Sequence, residues 1–248
     1  MIESRSNAKI KKLAALATKK GRREYGEFLI EGLHMVKEAV RFEVPLVEIF
    51  VSSGAKNIVL PQISKAKCAV TEVLDAVFER VANTENTQGV IAVAKIPQEE
   101  PLFAASKFLI LDRISDPGNM GTILRTAAAT GFVDVVTIDC VDVFNPKVVR
   151  SSSSGLFFVK IHTKTEQEVL EIAKTHNILS ATAEGENVFE MHDFPTNFGL
   201  VVGNEANGVS ENIKKSSRLV ALPMSDKVES LNAAVSASVL MYFFANMR

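Results

Sequence analysis

Lys107 to Asp139 read KFLILDRISDPGNMGTILRTAAATGFVDVVTID, and the alternation inside that stretch decides the fold class. KFLILD is a short apolar run of the kind buried in a parallel sheet, and DPGN is a turn signal. A helix is expected from about Met120 to Thr130, and VDVVTID (Val133 to Asp139) reads as the next strand. The pattern persists downstream. A polar loop with FNPKVVRSSSSG is followed by a strand LFFVKI and a helix from about Glu166 to Thr175. ILSATA (Ile178 to Ala183), GLVVGNEANG (Gly199 to Gly208), LVALP (Leu219 to Pro223) and a long helix from about Asn232 complete it. Such alternation predicts an α/β domain with a mostly parallel sheet covered by helices on both faces. Ligands of such sheets collect at the carboxyl ends of strands, so the loops after Asp112, Ala183, Glu205 and Pro223 matter most.

Upstream, Ile10, Leu13, Ala14 and Ala17 recur at helical spacing between Asn7 and Ala17, and Gly21 is expected to stop that helix. FLIEG (Phe28 to Gly32), a helix from about Leu33 to Val40, and VEIFVSS (Val47 to Ser53) alternate again. A further helix (about Thr71 to Val81) and the strand GVIAVAK (Gly89 to Lys95) close a small α/β unit. IPQEEPLFAASK, with Pro97 and Pro101 flanking two acids, has a linker's composition. The expected division is therefore a domain over 1–97, a linker over 98–106 and a second domain over 107–248.

The chain has 248 residues, 47% of them hydrophobic, which is enough for two cores without covalent staples. Cys68 and Cys140 lie far apart with no ligand spacing, and read as small buried hydrophobes. The four histidines show no metal spacing either. No apolar run reaches the ~20 residues of a spanning helix, and MIESRSNAKIKK lacks a signal peptide's apolar core, so a soluble cytoplasmic protein without membrane contact is expected. The net charge of -1 is uninformative, but its distribution is not. Up to Arg23, the bases Arg5, Lys9, Lys11, Lys12, Lys19, Lys20, Arg22 and Arg23 face only the acid Glu3. A basic stripe suits phosphate contact, since neutralised phosphates release counterions; it equally suits an ordinary solvated helix face.

Three segments carry candidate chemistry. In DRISDPGNMGTILRTA (Asp112 to Ala127), Pro117-Gly118 forces a turn, Asn119 can cap the next helix, and Arg125 follows six residues later, so both can border one loop-lined pocket. A cap and a surface ion pair would explain them as well. In LVVGNEANGVS (Leu200 to Ser210) an apolar strand runs into Gly203, Asn204 and Glu205; Gly203 leaves room for a flat ring or ribose. The plainer reading is a strand and an Asn207-Gly208 turn. In LVALPMSDKVESLNAAVSASVL (Leu219 to Leu240) a strand ends at Pro223, and Ser230-Leu231-Asn232 opens a helix rich in small residues, which a capped core helix would also explain. GxGxxG after the first strand, GxxxxGK[ST] and GxSxG are missing, which removes the usual support for nicotinamide, nucleotide-hydrolysing and hydrolase chemistry.

Together the three segments resemble motifs 1, 2 and 3 of the SpoU (TrmH-type) branch of the SPOUT RNA methyltransferases, in order and near the C-terminus. NAKIKKLAALATKKGRREYGEFLIEGLHMVKEAV resembles the substrate-binding domain of members acting on rRNA, and FNPKVVRSSSSGLFF the segment joining motifs 1 and 2. One departure is Asp226, where the family often has glycine. The resemblance implies a small N-terminal α/β RNA-binding domain, a SPOUT-type domain with a C-terminal trefoil knot, and a homodimer. It also implies S-adenosyl-L-methionine as methyl donor, no metal, and a ribose 2′-hydroxyl of RNA as acceptor. Ribosomal RNA is the expected substrate, with tRNA, or non-catalytic RNA binding in ribosome assembly, as alternatives.

By the same resemblance the donor is bordered by Thr182 and Ala183, by Gly203, Asn204 and Glu205, by Leu222 and Met224, and by Ser230, Leu231 and Asn232. The catalytic set is Asn119, Arg125, Glu205, Ser230 and Asn232. RNA contact falls to Arg5, Lys9, Lys12, Lys19, Lys20, Arg22, Arg23, Arg113 and Arg150. The family assigns proton removal to the arginine matching Arg125, yet a guanidinium keeps its proton to a pH above ~12. Arg125 is therefore expected to grip the adjacent phosphate and orient the hydroxyl, while phosphate or water takes the proton.

Overall fold

The computed structural model describes residues 1–84, 86–101, 107–225, 227–228 and 230–246. The chain forms two units: Met1–Gln98 with Asp142–Phe157, and Glu99–Val141 with Phe158–Arg248. The stretch Asp142–Phe157, inside the 107–248 span of the sequence division, thus packs with the first unit.

In the first unit, α1 (Ala8–Leu16) starts where Asn7 accepts a hydrogen bond from the Lys9 amide, and buries Ile10, Leu13 and Leu16. Leu16, rather than Ala14, completes the apolar face. The helix does not end at Gly21. Thr18 caps a second helix, α2 (Lys19–Tyr25), and Gly21 lies inside it because a Cβ there would meet the Ala15 carbonyl oxygen at 2.1 Å. Gly26, at φ 64°, then ends α2 in the left-handed conformation that glycine adopts freely. There follow β1 (Glu27–Glu31), α3 (Leu33–Arg41), β2 (Leu46–Ser52), α4 (Lys56–Val59), β3 (Ala69–Val73), α5 (Asp75–Phe78) and β4 (Val90–Lys95).

The sheet order is β1-β4-β2-β3, with β3 parallel to β2 and the other pairs antiparallel. The expected helix over Thr71 to Val81 is therefore mostly wrong. Val70, Thr71 and Val73 are β-branched and pair with Ile49, Phe50 and Ser52, leaving only one helical turn after Leu74. The core gathers Leu13, Leu16, Leu29, Phe50, Phe78 and Ile91.

The second unit opens with β5 (Lys107–Asp112), α6 (Pro117–Thr130) and β6 (Asp134–Ile138). The FNPKVVRSSSSG stretch is not plain loop: Asn145 caps α7 (Pro146–Ser151), a member of the first unit, and a 3₁₀ turn covers Gly155–Phe158. The expected strand LFFVKI shrinks accordingly to β7 (Lys160–Thr163). After it come α8 (Glu166–Ala173), β8 (Asn177–Asn187), β9 (Phe198–Gly203), α9 (Glu211–Lys215), β10 (Arg218–Ala221) and α10 (Ala233–Asn246).

The sheet is six-stranded and parallel throughout, ordered β10-β8-β9-β5-β6-β7. Phe108, Ile110, Val136, Ile178 and Val201 pack in its core, and the central strands β5, β6 and β9 are buried along nearly their whole length, as expected of strands covered on both faces. Both cysteines are half-buried; burial pushes the Cys140 thiol up to about 11, so it stays protonated and inert. No helix among the described residues is long and apolar enough to cross a membrane.

Candidate active site

The carboxyl ends of β5 and β9 are laced together by one buried acid. Asp112, 1% exposed, accepts bonds from Arg113 Nε at 2.8 Å, from Arg113 Nη2 at 3.1 Å and from the Ser210 amide at 2.7 Å. Arg113 Nη2 reaches on to the Gly208 carbonyl, while Asn204 Nδ2 donates to the Arg113 carbonyl at 2.9 Å. This hydrogen bonding to Asp112 raises the Arg113 pKa further above its usual value. The guanidinium expected to touch RNA is thus engaged inside the unit, because a buried carboxylate needs a cation beside it.

The expected Asn207-Gly208 turn forms. Asn204 and Gly208 exchange two backbone hydrogen bonds, and Gly208 sits at φ 63°. Gly203 is required by close approach, since a Cβ there would lie 2.2 Å from the Gly208 carbonyl carbon.

Asn119 proves to be more than a cap. Asp116 caps α6, accepting from the Asn119 amide at 2.8 Å with Pro117 at the first helical position. That leaves the Asn119 side chain free to bridge. Its Nδ2 donates to Glu205 Oε1 at 2.6 Å, and its Oδ1 accepts from Asn232 Nδ2 at 2.9 Å. Asn232 Oδ1 in turn accepts from the Ala234 and Val235 amides, capping α10. All three segments singled out from sequence therefore meet at Asn119.

Arg125 stands apart, six residues and roughly 9 Å along the α6 axis. It is exposed and makes no hydrogen bond or ion pair among the described residues.

Beside this junction lies a cavity of about 570 Å³, within the range of small-molecule sites. Thr182, Ala183, Gly203, Asn204, Glu205, Leu222, Met224, Ser230 and Leu231 line it; Asn232 does not, although its neighbour Ala233 does. Asp226 lies outside the described residues. Sequence reasoning missed Glu184 and Lys214, which also line the cavity. Lys214 sits on α9, a five-residue helix too short to announce itself by periodicity; the Ser210-Glu211 start was its only signal. The Thr182 hydroxyl is buried without a hydrogen-bond partner among the described residues, and a buried polar group in a cavity wall calls for a ligand or water to satisfy it.

The basic stripe divides. Arg5, Lys19, Lys20 and Arg23, with Arg150 on α7, are exposed and make no hydrogen bond or ion pair among the described residues. Lys9 and Lys12 pair with Glu48 and Glu27, each at 2.6 Å, and keep partial exposure. Arg22 is a correction: 2% exposed, it donates to Asp142 Oδ2 at 2.9 and 2.6 Å and to the Leu16 carbonyl at 2.9 Å. It is a buried structural cation that cannot face a phosphate.

The SpoU rRNA Methylase family model matches residues 106–242, and the MRM3-like substrate binding domain matches residues 7–92. The chain is 34% identical to the 23S rRNA (guanosine(2553)-2'-O)-methyltransferase RlmP of Bacillus subtilis (strain 168), over 97% of each. A solved RNA 2'-O ribose methyltransferase superposes with a TM-score of 0.80 at 31% identity, covering 98% of this chain and 97% of the other. An AdoMet-bound rRNA methyltransferase from Sinorhizobium meliloti shares the fold, with a TM-score of 0.84 at 23% identity over 98% and 96% of the two chains. The chain belongs to the SpoU rRNA methylase family.

Proposed function

We propose that this protein transfers a methyl group from S-adenosyl-L-methionine to a ribose 2′-hydroxyl of ribosomal RNA. The observation that carries the reading is the junction at Asn119, which holds three separate loops closed beside the cavity. The cavity fits the donor: it offers apolar walls at Leu222 and Leu231 for adenine, the backbone of Gly203 and Asn204 at the ribose, and the unpartnered Thr182 hydroxyl. The donor supplies an electrophilic methyl on a sulfonium whose charge is lost as the methyl leaves.

The protein's own part is alignment and exclusion of water. A C–O bond forms at the ribose as the S–C bond breaks, and the hydroxyl proton leaves to phosphate or water. Arg125, without a side-chain partner among the described residues, grips the phosphate next to the reacting ribose and turns the hydroxyl toward the cavity. Asn119 and Glu205 fix the neighbouring backbone, Ser230 holds the donor or hydroxyl, and Asn232 fixes the loop before α10. Arg5, Lys19, Lys20, Arg23 and Arg150 bring the RNA's phosphates to the protein.

The working unit is a cytoplasmic homodimer meeting through the outer face of α10. Its C-terminal segment is a trefoil knot. β10 lies at the sheet edge while α10, which follows it, packs on α6 and β9, so the chain must recross the sheet's end. Pulled by its termini, a knotted chain stops short of the ~3.3–3.6 Å per residue of full extension; reaching that length would refute the knot.

The direct test of the activity is to map ribose methylation in rRNA and tRNA from cells with and without the protein, and to restore the missing mark with purified protein and labelled donor. One rRNA position should lose its methyl group and regain it. A mark lost from tRNA instead would move the substrate, and no lost mark would end the proposal.

A further inference from the structure

We propose that Lys214 and Glu184 hold the two charged ends of the donor's methionine tail, Lys214 its carboxylate and Glu184 its ammonium. The inference rests on the cavity being the donor site, as proposed above, and adds the residues that read the tail.

Among the described residues three charged side chains line the cavity: Glu184, Glu205 and Lys214. Glu205 is already occupied by Asn119 and Asn204, and that end lies at the root of α6, the helix that carries Arg125. The reacting end of the donor belongs there. Glu184, on β8, and Lys214, on α9, reach the cavity from other elements and carry opposite charges, as the tail does.

Neither residue has a partner worth keeping. Lys214 Nζ bonds Glu211 at 2.8 Å, but Glu211 is 73% exposed, and an ion pair so open to water is weak and easily exchanged. Glu184 makes no hydrogen bond or ion pair among the described residues, though its charge is close enough to help hold the Lys214 ammonium protonated, after Glu211's bond and charge. A cation and an anion at one rim, not bonded to each other, are what a zwitterion would join.

The tail keeps its charges through the reaction, so these contacts stabilise donor, transition state and demethylated product alike. Uniform binding of that kind lowers KM and leaves kcat unchanged.

Calorimetry with three ligands tests the assignment: S-adenosylmethionine, its decarboxylated form, which lacks only the carboxylate, and 5′-methylthioadenosine, which lacks the tail. Lys214→Met should weaken S-adenosylmethionine about tenfold, the scale of one partly solvated charge-assisted hydrogen bond, and leave the other two within about twofold. Lys214→Arg should recover most of the loss. Glu184→Gln should weaken both amine-bearing ligands and spare methylthioadenosine. In turnover, Lys214→Met should raise KM for the donor at constant kcat.

Equal weakening of all three ligands by Lys214→Met, or no change in any, would overturn the assignment while leaving the donor site standing. A wild-type protein that binds none of the three would remove the donor site itself, and this inference with it.

Discussion

Arg125 and Arg22 are both arginines in basic or polar stretches, yet the fold gives them opposite tasks. Arg125 is exposed with all its donors free of partners among the described residues, so they are available to a substrate phosphate. Arg125→Ala should lower methyl transfer by about a thousandfold, the scale of removing a preorganised charge from a transition state. Donor affinity should stay within a few-fold, because Arg125 does not line the cavity. A variant with normal turnover would sink the assignment.

Arg22 spends its donors on Asp142 and the Leu16 carbonyl. Arg22→Met should cost about 3 kcal/mol in denaturant unfolding, since it strands a half-buried carboxylate without its cation; a loss below 1 kcal/mol would show the pair to be idle. In the sequence the two look alike. Burial of Arg22 depends on Asp142, 120 residues away, and no local pattern signals a partner at that distance.

At the scale of elements, the strongly apolar strands β5, β6 and β9 were legible because they are buried on both faces. β3 was not, because in its AVTEV the polar Thr71 and Glu72 stand side by side and break the alternation that marks a strand, so that only pairing with β2 makes it one. Lining of the cavity was legible where a loop follows a strand, as at Gly203, which ends β9, and Leu222, which follows β10. It was hidden where a short helix supplies the residue, as α9 supplies Lys214.

Asn232 combines two jobs that element-scale reasoning can separate. Its Oδ1 caps α10 and its Nδ2 orients Asn119. Because carboxylates only accept, Glu205 fixes the Asn119 amide with nitrogen toward itself and oxygen toward Asn232. Asn232→Asp keeps a capping oxygen but offers Asn119 no donor. It should therefore unfold like wild type yet lose turnover, whereas Asn232→Ala should lose turnover and about 1 kcal/mol of stability as well. Equal activity in wild type and Asn232→Asp would show that the junction does not matter to the reaction.

For the molecule as a whole, α10 is the element that exceeds what one chain needs. Ala234, Ala237, Met241 and Phe244 bury one face against the unit, as any core helix would. Val235, Val239 and Tyr242 then form a second apolar row on the opposite face, and they are exposed by 48%, 39% and 53%. A row at i, i+4 and i+7 on one helix is a continuous patch rather than scattered surface apolar residues, and the proposed dimer would cover it. Across a twofold axis the same patch meets itself, so Val239→Glu sets two like charges near each other in an apolar contact. The dimer dissociation constant should rise by roughly a hundredfold, about 3 kcal/mol. The monomer's own unfolding should stay unchanged, because the side chain is exposed there. Sedimentation of wild type and variant at micromolar concentration reads the difference. A wild type that sediments as a monomer would leave α10's outer row to some other partner and remove the homodimer from the proposal, without touching the cavity or the junction at Asn119, which lie within one chain.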